Sequence, residues 1–321
     1  MKVFFNRVPK DQPWGGGNQF VIAMVHYLRS HGHEVTFQLE QGVDKIFMID
    51  PRPGDIGYSV HHIKAYKQMF PSTQVIHRVN ECDQRKGTSG MDAIQLAAMK
   101  EADDVVFISA WLQKYYEARG FKGKSHVVYN GCNLEHFRPE KRSPAVQEPL
   151  SLLDPNPVLS SAKVKVVTHH WSDNWLKGFD IYAEIDRYLQ KNPEAFEFTY
   201  VGRYNGSYIP QVTTLVKPLH GLSLGAELRS HDVYVTASRW EPCGMHHIEG
   251  AASGLPVLYH AESGGINEKC AEHGLEFKDF QGFLKALDEV KNNLNMFQQR
   301  INYKTLDIGF CCEQFYHIIT G

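Results

Sequence analysis

Two carboxylates, Glu241 and Glu249, stand inside the stretch SRWEPCGMHHIEGAASGLPV, Ser238 to Val257. An ionised carboxylate accepts hydrogen bonds and has no proton to give, so it suits a ligand rich in hydroxyls, such as a diol. Between the two acids, Gly244, Met245 and His246 read as a helix start. The first amides of a helix have no partner within it and favour an anion. Two negative side chains beside an anion site are tolerable only if they meet hydroxyls instead of the anion. A nucleotide sugar fits both demands, because its diphosphate joins a ribose to a hexose. Lys177 precedes another expected helix, with Gly178 at the junction, and a cation there adds to what the helix amides offer a diphosphate. A metal-bridged diphosphate is not expected: the chain has no Asp-x-Asp, and the adjacent pairs His61-His62 and His246-His247 cannot chelate one ion from a helix. No metal ligands are therefore assigned.

These residues need particular elements to position them. HDVYVTA before the stretch and LPVLYH at its end read as strands around a loop and a helix, one right-handed βαβ unit. Ligands of open α/β sheets bind beyond the carboxyl ends of such strands. In the first half, EVTFQL, KIFMID, QVIHRV, DVVFIS and SHVVYN are short apolar runs separated by helical or turn segments, the pattern of a parallel sheet covered on both faces. Trp14-Gly15-Gly16-Gly17 lies between the first strand and the first helix, and its glycines permit close approach of a phosphate or sugar to backbone amides. His77, Arg78, Asn80 and Glu81 crowd the end of the QVIHRV strand. A Pro- and Ser-rich segment then reads as a linker, and KVKVVTHH opens a second sheet. The expected domains are 1–145, a linker over 146–162, a second domain over 163–300 and a final helical segment over 301–321. That last segment, from YKTLDIGF onward, reads as one amphipathic helix.

Composition bounds the function classes. With 321 residues and a formal charge of −2, the chain is long enough for two cores and offers no electrostatic footprint for nucleic acid. No apolar run reaches the roughly 18 residues a membrane span needs, and a thin basic set at Lys64, Lys67, Lys122 and Lys124 allows at most peripheral membrane contact. Six cysteines without paired spacing, and a start that reads as a strand and a polar loop, imply a reducing, cytoplasmic setting.

Glu-x7-Glu within EPCGMHHIEGAASGLPV, followed by GGINE at Gly264 to Glu268, resembles the donor-site signature of retaining glycosyltransferases of family four. Glu101 to Pro139 resembles the same family, with Ser109, Asn130, Gly131, Phe137 and Pro139 at its architectural positions. The resemblance implies a GT-B fold: two Rossmann-like domains facing across a cleft, the first on the acceptor side and the second holding the donor, with the last helix returning to the first domain. It implies transfer of a hexose from a nucleoside diphosphate sugar to an acceptor hydroxyl with retention, without metal or other cofactor. The acceptor could be a glycan, a lipid-linked sugar or a small molecule. Glu241, His77 and Lys177 take the catalytic places. Gly16, Gly17, Lys177, Arg203, Gly244, Met245, His246 and Glu249 take the donor-binding ones. The family carries an arginine where this chain has Trp171, and Arg203 or a histidine stands to supply that charge. Two rivals remain open at this stage, a nucleotide-sugar 2-epimerase of similar fold and a non-catalytic sugar-nucleotide-binding subunit.

Overall fold

The computed structural model describes residues 1–10, 15–54, 56–139 and 163–321. Trp14 and the whole expected linker, 146–162, lie outside the described residues. Two six-stranded sheets organise the rest, and every strand pairing in both is parallel.

The first sheet uses β1 (Lys2–Phe5), β2 (Glu34–Thr36), β3 (Lys45–Met48), β4 (Gln74–Val79), β5 (Asp104–Phe107) and β6 (Ser125–Val127), in the order β2-β1-β3-β4-β5-β6. Its crossovers carry α1 (Gly15–Ser30), α2 (Val60–Met69), α3 (Met91–Met99) and α4 (Ala110–Glu117), and a short α5 (Leu134–Phe137) follows β6. The central strands are buried on both faces, which is why they read as apolar runs without alternation. Ser109 starts α4 by accepting from the Leu112 amide, an ordinary N-cap.

The second sheet uses β7 (Lys165–His170), β8 (Glu197–Gly202), β9 (Thr214–Val216), β10 (Val233–Thr236), β11 (Val257–His260) and β12 (Gly274–Phe277), in the order β12-β11-β10-β7-β8-β9. Its helices are α6 (Phe179–Lys191), α7 (Gly221–Arg229), α8 (Met245–Ala252), α9 (Gly265–Cys270), α10 (Phe280–Asn292) and α11 (Leu294–Gln299). The strand order reverses between β7 and β10, so the carboxyl ends of those strands open the crevice into which α8 starts.

The end of the chain is two helices where periodicity suggests one. After α12 (Tyr303–Leu306), Asp307 leaves helical geometry and caps α13 (Ile308–Thr320) by accepting from the Gly309 amide. The cap lets α13 turn onto the first lobe, where Phe315 packs 4.8 Å from Phe20 and 5.5 Å from Phe47 between ring centroids. Further along the interface, one apolar core runs through both lobes and joins Phe107, Leu112 and Tyr116 to Tyr234, Ile248 and Ile266.

Candidate active site

A cavity of about 910 Å³ lies between the lobes. Gly16, Gly17, Asn80 and Arg85 line it from the first lobe. From the second come Trp171, Lys177, Glu241, Gly244, His246 and Glu249, with Met245 beside them. The lobes nearly touch across it: a Cβ placed on Gly16 would fall 2.2 Å from Met245 Cγ, so any larger residue there would have to displace the Met245 side chain.

Glu241 is set in place by its backbone. Trp240 before it adopts φ 51°, a left-handed conformation uncommon for a bulky residue. The turn is held by Trp240 N–H donating to Glu262 O (2.8 Å) and Glu241 N–H donating to Ser263 O (3.1 Å). Gly265 N–H returns a bond to Glu241 O (2.9 Å), while Gly264 takes φ 74° against the Glu241 backbone. The GGINE motif thus positions the acid. Its own Glu268 faces the other lobe, accepting from Ala110 N–H and Tyr129 O–H, both at 2.9 Å.

The Glu241 side chain is 4% exposed and lies between two cations. Lys177 Nζ bonds one carboxylate oxygen, and Arg85 Nε lies 3.0 Å from the other. Burial alone would raise the Glu241 pKa, but Arg85 and Lys177 outweigh it and hold it at about 2. Burial lowers the Lys177 pKa and Glu241 opposes that. With two cations on one carboxylate, the ionised pair is the state the geometry favours. Lys177 is delivered by a 3₁₀ turn, Trp175–Lys177, which ends at Gly178 with φ 96°. A Cβ on Gly178 would fall 2.3 Å from Ala237 Cβ, so glycine seats this turn on the end of β10.

Glu249, in the second turn of α8, accepts from His169 Nε2 at 2.7 Å, and His169 Nδ1 lies 3.1 Å from the Tyr234 hydroxyl. No side chain caps α8, so its first amides at the cavity wall remain free for an anion. His246 Nε2 bonds Thr236 Oγ1 at 2.9 Å, and His170 Nε2 bonds the Tyr182 hydroxyl at 2.9 Å. Burial pushes both rings well below the usual histidine range, so they are neutral near pH 7. Cys243 is a buried thiol whose carbonyl accepts from Asn130 Nδ2 of the first lobe at 2.7 Å. Among the described residues, no group of three His, Cys, Asp or Glu is arranged to hold a metal ion.

Two sequence expectations need correction. His77 is fully buried, with Nδ1 3.1 Å from Met48 O and Nε2 2.7 Å from Gln95 Oε1, and it does not line the cavity. Successive residues of a strand face opposite sides. In β4 it is Arg78, not His77, that lies on the cavity side. Arg203 is exposed at the end of β8, its guanidinium 6.0 Å from the Trp171 ring, and it does not line the cavity. Neither Arg203 nor the neutral His170 and His246 brings a second positive charge to Glu241.

Sequence reasoning passed over Arg85. It sits in the charged run ECDQRKG after β4, and nothing local says that this loop reaches an acid on the other lobe. Arg78 received no role either. It is 1% exposed, donates from Nη2 to Asn130 Oδ1 at 2.8 Å and lies over the Phe20 ring at 4.2 Å.

Residues 163–293 match the family Glycosyl transferases group 1. No curated protein sequence matches the chain significantly. Among solved structures, the chain is similar to sucrose-phosphate synthase from Thermosynechococcus elongatus, with 16% identity and a TM-score of 0.69 over 99% of this chain and 98% of that one. HepE from Anabaena, solved with UDP and glucose, is similar at 14% identity and a TM-score of 0.70 over 100% of this chain and 99% of that one. WaaG, a glycosyltransferase involved in lipopolysaccharide biosynthesis, is similar at 12% identity and a TM-score of 0.67 over 100% of both chains. At such identities the likeness establishes the architecture, which is GT-B.

Proposed function

We propose that the protein, whose residues 163–293 match the glycosyl transferases group 1 family on a GT-B frame, is a glycosyltransferase that moves a hexose from a nucleoside diphosphate sugar to an acceptor hydroxyl with retention. One observation carries the reading. The uncapped start of α8, Lys177, Glu241 and Glu249 all line one cavity between the lobes. Amides and ammonium suit the diphosphate, and the acids suit the hydroxyls of its two sugars.

The reaction breaks the bond from the anomeric carbon to the diphosphate oxygen and forms one to the acceptor oxygen on the same face. The acceptor proton passes to the departing phosphate oxygen. Glu241, ionised down to about pH 2, has no proton to donate near neutrality and acts as an acceptor that orients the sugar. Lys177 and the α8 amides offset the charge that grows on the leaving group, a preorganised electrostatic role. The reading assigns no metal and no resident cofactor, the nucleotide sugar being a substrate. Because HepE was solved with UDP and glucose, UDP-glucose is the first donor to try.

The test is thermal shift with UDP, GDP, ADP and their sugars, followed by turnover with and without acceptor sugars in EDTA. Ligand at about 100 times its Kd should stabilise the fold by roughly 2.7 kcal/mol. Donor consumption without acceptor, giving an epimerised nucleotide sugar, would replace transfer with epimerisation. Binding without any donor hydrolysis or transfer would leave a binding subunit. No stabilisation by any nucleoside diphosphate would end the reading.

A further inference from the structure

Resting on the donor-site reading, we propose that Trp171 binds the transferred sugar: its indole covers the C–H face of the hexose while Glu241 takes hydroxyls at the rim. Trp171 is partly buried and lines the cavity from the second lobe. A ring of this size contributes most when it is packed into a core or an interface. Trp171 belongs to none of the hydrophobic cores among the described residues, and its ring meets no other aromatic ring there. Its one ring contact is the Arg203 guanidinium, 6.0 Å from the ring centroid and outside the cavity. The indole N–H has no hydrogen-bond partner among the described residues. An aromatic surface left out of every core and presented at a cavity wall is a binding surface.

Its neighbours at the end of β7 place it along the donor site. His169 Nε2 holds Glu249, the ribose acid, at 2.7 Å. The His170 ring lies 4.7 Å from that of His246 in the first turn of α8, where the diphosphate belongs. Ser172 borders a small recess together with Lys177 and Glu241. From His169 to Ser172 the chain thus passes from the ribose end of the site to the hexose end, and Trp171 stands between phosphate and hexose. A nucleobase lies on the other side of Glu249, away from this ring. A hexopyranose carries hydroxyls around its rim and a patch of C–H bonds on its face, and that patch suits the electron-rich face of an indole. Carboxylate and ring together read both kinds of surface. The indole N–H is free to donate to a hydroxyl of the same sugar, since it has no proton acceptor in the protein.

The experiment is calorimetric titration of wild type, Trp171→Ala and Trp171→Phe with UDP, GDP and ADP and with their hexose conjugates. The readout is the Kd of the best-bound conjugate divided by the Kd of its bare diphosphate. Trp171→Ala should raise that ratio about tenfold, the order expected when one face of an aromatic ring goes uncovered, and leave the bare diphosphate within about twofold of wild type. Trp171→Phe, which keeps a ring, should recover most of the ratio. Trp171→Leu, apolar but without a ring, gives the same comparison if Trp171→Ala does not fold. Tryptophan fluorescence of the wild type should shift further to the blue with the conjugate than with the bare diphosphate, and the extra shift should vanish in Trp171→Phe. An unchanged ratio in the folded ringless variant, equal losses for conjugate and bare diphosphate, or an extra shift that persists in Trp171→Phe would overturn the assignment while leaving the donor site standing. A wild type that binds no nucleoside diphosphate, or none of the hexose conjugates, would remove the donor reading as well.

Discussion

Glu241 keeps its charge where burial opposes it, and that has a consequence for acid stability. Its folded pKa of about 2 lies below the unfolded value near ~4.3. A depressed carboxylate pKa contributes stability that is fully present above the unfolded value and is lost as pH falls through the folded one. The contribution is about 3 kcal/mol, less what desolvation of Lys177 costs. Between pH ~4 and ~2, the stability gap between wild type and Glu241→Gln should therefore close by about 1 kcal/mol per pH unit. Urea melts across that range measure it, and a gap that stays constant would mean that the carboxylate is not held by its cations. At pH 7, Glu241→Gln should lower kcat about a hundredfold if the acid orients the reacting sugar. His77 makes the opposite case. Both its ring nitrogens are occupied inside the first lobe, so His77→Ala should cost about 1–3 kcal/mol of stability and leave the kcat of folded protein within about threefold of wild type. A loss of kcat matching that of Lys177→Ala would restore the catalytic expectation. The mistake at His77 is one of strand parity. Both β4 residues are polar and buried, and only the three-dimensional pleat decides which of them faces the ligand.

Local chemistry made the elements around the site legible. The apolar strands, the helix start at Gly244 and the glycine at 178 were all readable because each is fixed by residues within a few positions. The role of GGINE was less so, since its glycine turn supports Glu241 through bonds that span more than twenty residues. Asp307 shows a local signal overridden by periodicity: the run from Tyr303 is amphipathic throughout, yet a single N-cap divides it. Gly178 gives the sharpest test at this scale. With φ at 96° and Ala237 occupying the space a side chain would need, Gly178→Ala meets both backbone strain and a clash. It should destabilise the protein by about 2 kcal/mol or more. Because the same turn presents Lys177, nucleoside diphosphate affinity should fall as well. Retained stability and affinity in Gly178→Ala would show that the turn can relax without moving the ammonium.

The two lobes look separable in sequence, but the folded chain joins them. Domain interfaces within a chain are commonly polar and permit relative motion. Here an unbroken apolar core passes from β5 and α4 into α8 and α9, closed by Glu268 on the Ala110 amide and the Tyr129 hydroxyl. Asn130 reaches Cys243 O, and Lys269 reaches Thr305 O at 2.6 Å. None of these pairings could be read from either half alone, because each residue looks locally like an ordinary polar or core position. Their joint effect should be cooperativity. Exposing the core of either lobe strips apolar area from the other, so neither half has a stable native state once its neighbour melts. Differential scanning calorimetry should then show one transition, with calorimetric and van't Hoff enthalpies agreeing. Glu268→Ala, which leaves the Ala110 amide and the Tyr129 hydroxyl without their shared acceptor, should lower Tm by several degrees. It should do so by shifting the whole transition, since the bond lies between the halves. Two resolved transitions in the wild type would mean that the lobes hold themselves up independently and that the shared core contributes contact without coupling. In that case motion across the cleft would be freer than the packing implies.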